Sequence, residues 1–262
     1  MTHVDTERTG SILKVTLNDP ATLNSMGRDM IRELRQVIQD AAKPGQGIRC
    51  LVLTGAGRGF CSGGNLGLMT PDQPDHEPME QITLGTHHHY VLKLMKSLPY
   101  PVLTAVNGPA AGVGFSFALA GDLVVASRSA YFLAAFRNIG VSPDGGLSWM
   151  LPKSIGWARA KELLLMGNRL PADEALEWGL INRVFEDDTF TEDTMAFAEA
   201  LAAGPTVALG VIRQLAWESW ESTFANQLDR EEILQLETFA SDDARHGARA
   251  LLNKEKPTFN GC

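Results

Sequence analysis

The chain has 262 residues, enough for one large domain with a sizeable core, and an apolar fraction of 44% that excludes a disordered chain. Its formal net charge of −8 argues against nucleic acid as a main partner while leaving room for local basic pockets. Three cysteines, Cys50, Cys61 and Cys262, lack metal-type spacing and fit a reducing compartment without a disulfide framework.

"MTHVDTERTG" has no apolar signal core, and no run reaches transmembrane length, so a cytoplasmic protein with no membrane partner is expected. Residues 12–17, "ILKVTL", alternate as a half-buried strand does. Met26, Met30, Ile31, Leu34, Val37 and Ile38 then recur at helical spacing, with Asn24 or Ser25 as the expected cap. "CLVLTG" (50–55), "PVLTAV" (101–106) and "LVVAS" (123–127) are short apolar runs that read as buried strands. Strands alternating with helices point to an α/β fold with much parallel pairing.

The second half changes character. "ARAKELLLMG" reads as a helix ended by Gly167, and "LPADEALEWGL" as another with Pro171 near its first turn. Beyond Gly204-Pro205 three helical segments are expected, at about 205–220, 223–239 and 242–254. A boundary near that dipeptide divides a core, 1–204, from a helical C-terminal region, 205–262, that is not expected to fold alone.

Two glycine-rich turns stand out, "TGAGRGFCSGGNL" (54–66) and "VNGPAAGVGFSFALAG" (106–121). Neither matches a P-loop or a dinucleotide fingerprint. Alone, either is explained by close backbone packing. Together they offer something further: main-chain N–H groups at the start of a helix lack intrahelical acceptors, and two converging on one carbonyl oxygen make an oxyanion hole. "SPDGGL" places Asp144 in a tight turn, which a carboxylate closes well and from which it can also be held out to a substrate.

Five segments in order resemble the crotonase (enoyl-CoA hydratase/isomerase) superfamily: "LNDPATLNSM", "GRGFCSGGNL", "AVNGPAAGVGFSFALAGDLVVAS", "ADEALEWGLINRV" and "NKEKPTFNG". The resemblance covers almost the whole chain. It implies a spiral of ββα units with a C-terminal helical trimerisation region, a homotrimer or a hexamer of paired trimers, and an acyl-CoA ligand. No metal or redox cofactor is implied, because the coenzyme A thioester is itself the substrate.

Position by position, the resemblance makes the N–H groups of Gly64 and Val113 the oxyanion donors, with valine replacing the usual glycine. Ser62, Gly64 and Leu66 fall where the main chain binds adenine. Lys254 falls on a lysine that approaches the CoA phosphates, often from a neighbouring subunit, and Ala21 stands where many members have another lysine. Where hydratases have two glutamates, this chain has Ser116 and Phe136, so ordinary hydration is not expected. Asp144 falls on the acid/base of an isomerase branch.

The expected activity is therefore a double-bond shift from 3-enoyl-CoA to 2-enoyl-CoA. The alternatives are a hydratase, a hydrolase or dehalogenase using Asp144, and a non-catalytic acyl-CoA-binding protein. His87, His88 and His89, in "THHHY", are expected to line the acyl pocket; consecutive histidines do not have the i, i+3 or i+4 spacing of helical metal ligands. Cys61 reads as a buried structural thiol, Asp122 as a structural hydrogen-bonding residue and Arg137 as a surface arginine. The acidic run 186–193 reads as a solvated helix start.

Overall fold

The computed structural model describes residues 2–70, 72 and 88–262. Its first elements, β1 (Val4–Thr9) and β2 (Ile12–Leu17), form an antiparallel hairpin. β1, "VDTERT", has one buried residue and no apolar alternation, so it is absent from the sequence reading; pairing with β2 is what makes it a strand.

From β2 onward the pattern is parallel. β3 (Cys50–Gly55) and β4 (Val102–Val106) pair in register with their predecessors, and α1 (Arg28–Ala41) crosses between β2 and β3. α2 (His88–Lys96) leads into β4. The two-residue β5 (Ala110–Ala111) precedes α3 (Val113–Leu119). β6 (Leu123–Ser127) returns to the main sheet, and β7 (Tyr131–Leu133) pairs with β5 in a second, smaller one.

A 3-10 turn over Ala135–Ile139 is followed by α4 (Leu147–Ile155) and α5 (Trp157–Met166). β8 (Arg169–Pro171) closes the small sheet, and α6 (Ala172–Glu177) leads to β9 (Arg183–Phe185) on the far edge of the large one. The six-stranded order is β1-β2-β3-β4-β6-β9, and the three-stranded order is β5-β7-β8.

The continuous apolar runs are explained by burial on both faces of the large sheet. Leu51, Leu53, Val102 and Val106 enter the main core with Met30, Leu34 and Ile38 of α1. The alternate residues Cys50, Val52, Leu103 and Ala105 pack against Phe190, Ala198 and Ala202 of α7 (Phe190–Ala202). That helix begins within the acidic run, as expected. Glu192 and Asp193 sit in its first turn, whereas Glu186 pairs with Arg128 outside the helix.

The helical tail comprises α8 (Thr206–Ser219), α9 (Phe224–Phe239) and α10 (Asp242–Leu252), close to the expected spans. α8 is docked on the core. Buried Arg213 donates from Nε to Asp122 Oδ2 at 2.6 Å and through its other nitrogens to the carbonyls of Met95, Lys96 and Leu98. Trp217 Nε1 donates to Asp122 Oδ1 at 2.9 Å, so Asp122 is structural, as read. α9 and α10 bury only Leu234 and Asp243, respectively. Asp243 accepts from the N–H groups of Asn260 and Gly261, folding the last residues back onto α10. No single described helix is long and apolar enough to cross a membrane.

Candidate active site

The expected cap of α1 has another task. The helix starts at Arg28 behind Gly27, without a side-chain cap. Asn24 is instead fully buried in a left-handed conformation, φ 59°. Its Nδ2 donates to the carbonyls of Ala56 (3.0 Å), Gly59 (2.8 Å) and Phe60 (3.3 Å), while its Oδ1 accepts from Asp19 N–H at 2.8 Å. One amide thus ties the loop after β2 to the loop after β3.

Three further bonds complete that seam. Ser62 N–H donates to Leu23 O at 2.9 Å, Ser62 Oγ to Thr22 O at 2.8 Å, and Met26 N–H to Gly63 O at 2.7 Å. Ala21, Ser62, Gly64 and Leu66 consequently lie along one rim, with Ala21, Gly64 and Leu66 exposed. Lys254, just past α10, is not brought to that rim by any described contact of its own chain; its N–H donates to Leu251 O.

The second glycine loop is held against the first. Cys61 N–H donates to Pro109 O at 3.0 Å, and Ala111 N–H returns to Cys61 O at 2.9 Å. At Gly63, φ is 109°, and a Cβ there would come within 3.0 Å of Ala111 O and 3.7 Å of Gly112 Cα. Two backbones approach this closely only without side chains. The next residues along the two loops are Gly64 and Val113. Among the described residues neither N–H has an acceptor, and Val113 opens α3.

The turn carrying Asp144 packs on that helix. Gly145 has φ 61°, and a Cβ on it would lie 2.6 Å from Ser116 Cβ and 3.3 Å from Val113 Cγ2. Ser116 Oγ donates to the Asp144 main-chain carbonyl at 2.9 Å, and Leu147 N–H donates to the same oxygen at 3.2 Å as α4 begins. The Ser116 hydroxyl is therefore buried and engaged, and Phe136 is a buried apolar ring.

Two histidines grip the turn from the start of α2, a contact the sequence reading missed. His88 Nε2 lies 3.2 Å from Asp144 Oδ2, and Gly145 N–H donates to His89 Nε2 at 3.1 Å. Among the described residues, Asp144 Oδ1 is buried without a protein partner. The histidine run, expected to line the acyl pocket, was the available signal for these contacts. His87 lies outside the described residues. Burial holds the His89 imidazole below its usual pKa, with His88 and Lys93 acting in the same sense and Asp144 opposing them.

The described residues contain no group of three or more His, Cys, Asp or Glu side chains placed to hold a metal ion. Burial pushes the Cys61 thiol up to about 12, so it stays protonated and is a poor nucleophile. Arg137 is engaged rather than free, donating from Nη1 to Leu165 O and Met166 O at the end of α5. A tethered rim, two acceptor-free N–H groups on touching loops and a carboxylate with one unpartnered oxygen make a site suited to acyl-group chemistry.

A model of the enoyl-CoA hydratase/isomerase family matches residues 7–262. The chain belongs to that family. The family member is 40% identical over 250 residues to a 1,2-epoxyphenylacetyl-CoA isomerase of Escherichia coli (strain K12), covering 95% of each chain. It is 38% identical to a probable enoyl-CoA hydratase of Rhodobacter capsulatus, covering 94% of this chain and 93% of the other. A crystal structure of an enoyl-CoA hydratase subunit I from Geobacillus kaustophilus HTA426 superposes with a TM-score of 0.91 at 32% identity, over 99% of this chain and 98% of that one. The family member therefore has the crotonase fold.

Proposed function

We propose that the protein moves a double bond in an enoyl-CoA, converting a 3-enoyl thioester to the conjugated 2-enoyl thioester. The observation that carries this reading is Asp144: a carboxylate with one oxygen held by His88 and the other unpartnered, in a turn packed on the helix that Val113 opens.

The C2 proton of a 3-enoyl thioester becomes removable when the forming enolate is stabilised. Asp144 takes that proton, and the electron pair moves into the thioester carbonyl. The N–H groups of Gly64 and Val113 hold the resulting oxyanion, each such donor typically contributing about 2.7–4 kcal/mol to the transition state. Collapse of the enolate then carries the π system outwards while Asp144, now a neutral acid, delivers the proton to C4. The reaction is redox-neutral and balanced in protons, so one carboxylate serves both steps and no cofactor is required. Ser116 and Phe136 offer no second carboxylate to activate water, which favours proton transfer over hydration.

The rim of Ala21, Ser62 and Leu66 supplies the CoA subsite, with alanine leaving one phosphate contact unfilled. Lys254 reaches such a subsite from another copy of the chain. A homotrimer or hexamer fits the surface of the tail, where Phe224 is 81% and Leu252 84% exposed and Leu228, Ile233, Leu236 and Phe239 leave α9 apolar on its outside.

The test offers the purified protein a 3-enoyl-CoA and a 2-enoyl-CoA in parallel and follows conjugated-thioester absorbance. The expected result is rising absorbance with the first substrate and little change with the second. Loss of absorbance from the second alone would replace this reading with hydration.

A further inference from the structure

We propose that His88 is a positioning residue, an imidazole N–H donor that fixes the Asp144 carboxylate with Oδ1 as its single reactive oxygen. The proposal rests on the reading of Asp144 as the proton-transferring base and goes beyond it by assigning each oxygen a separate task.

The geometry is a three-point clamp. An ionised carboxylate only accepts hydrogen bonds, so the imidazole nitrogen facing Asp144 Oδ2 at 3.2 Å carries its proton. The next residue presents an acceptor nitrogen instead. His89 Nε2 accepts from Gly145 N–H at 3.1 Å, which places the proton of the neutral ring on Nδ1. The rings meet edge to face, 5.1 Å apart at 88°. One histidine therefore holds the side chain of Asp144, and its neighbour holds the main chain of the next residue. Ser116 Oγ on the Asp144 carbonyl is the third point.

Consecutive residues on a helix project about 100° apart. That divergence argued against a shared metal; here it lets two rings engage different groups of one turn. The arrangement is buried where it matters: the His88 and Asp144 side chains are 8% and 18% exposed. It is also braced from behind. Arg213 takes the carbonyls of Met95 and Lys96 at the far end of α2, anchoring the helix that starts at His88.

The consequence concerns rotation of the carboxylate. With Oδ2 held, Oδ1 is the oxygen that no described residue partners. Without the imidazole donor, the group turns about its last torsion and both oxygens compete for water. A base displaced by a fraction of an ångström still binds substrate but reacts more slowly. The loss thus falls on kcat.

The test compares His88→Leu, His88→Asn and His88→Gln with the parent on a 3-enoyl-CoA, alongside Asp144→Asn and a thermal unfolding curve for each. His88→Leu is expected to lower kcat about 10- to 100-fold while KM stays close to the parent value. Gln carries its amide N–H out to the place of Nε2 and recovers most of the rate, whereas the shorter Asn does not. Gln and Asn share their polarity, so this pair decides the matter if the leucine variant fails to fold. Parent-like kcat in both His88→Leu and His88→Asn, or no better rate with Gln than with Asn, overturns the proposal. If all His88 variants match a parent that Asp144→Asn inactivates, this inference fails and the isomerase reading survives. A parent that never shifts the double bond removes both.

Discussion

Ser116 Oγ donates to the main-chain carbonyl of Asp144 across 2.9 Å, so a hydroxyl on α3 holds the turn that presents the carboxylate. The hydroxyl is buried, and its removal leaves the Asp144 oxygen with one remaining bond, from Leu147 N–H. Ser116→Ala is therefore expected to lose about 1 kcal/mol of stability, measured by denaturant unfolding. Gly145→Ala attacks the same contact more severely, because its Cβ would sit 2.6 Å from Ser116 Cβ at a positive φ. It should cost about 1–3 kcal/mol and lower turnover with it. Parent-like stability in both variants would show that the turn is not seated on α3.

Asp144→Asn keeps the size and most of the polarity of the side chain but cannot take a proton. The expected loss in kcat for the 3-enoyl substrate is about 10²–10⁴-fold, the usual share of a general acid–base. Thioester affinity, read by calorimetric titration with a non-reactive acyl-CoA, should stay near the parent value because the proposed CoA rim, on the Ala21–Leu66 loops, does not include Asp144. Full turnover in this variant would exclude the mechanism.

His89 gives the site a pH dependence whose sign follows from its environment. Its folded-state pKa is lowered, chiefly by burial and next by His88, while the unfolded chain keeps an ordinary histidine near 6.5. The unfolded chain then takes up the proton first as pH falls. The stabilising contribution is complete above about pH 6.5 and is lost as pH drops through the lower folded value. A cationic His89 also ceases to accept from Gly145 N–H. His89→Gln retains an acceptor and removes the titration. Between about pH 6.5 and pH 5 its melting temperature should fall less than that of the parent; parallel curves would mean that His89 titration is not linked to folding.

Much of the fold was legible because the physics is local. The alternation of "ILKVTL", the apolar runs at 50–55 and 123–127 and the periodicity of the three tail helices each report one element with little help from the rest. β1 was not legible: five of its six residues are exposed, and the hairpin with β2 creates it. Asn24 was misread for a similar reason. Its residue type suits a helix cap, but three carbonyls from a loop about 35 residues away take its amide instead. Asp144 was singled out through family resemblance, whereas the His88 contact depends on bringing residues 88 and 144 together and has no sequence period to announce it.

Arg213 links the tail to the site, and its removal should be felt in both. Its guanidinium is buried, paired with Asp122 and shared among carbonyls that close the end of α2 and the turn beyond it. Arg213→Met preserves length and apolar packing yet strands Asp122, whose Oδ2 then keeps only the Val102 N–H. Leaving such a charge uncompensated typically costs about 3–5 kcal/mol. Arg213→Lys keeps the charge but not the planar fork that reaches several carbonyls, so it should recover only part of that loss. Because α2 starts at His88, a loosened far end should also reduce kcat before global unfolding begins. Denaturant midpoints and turnover measured on the same samples test the connection: a large fall in stability with unchanged kcat would mean that α8 supports the fold without bracing the histidines.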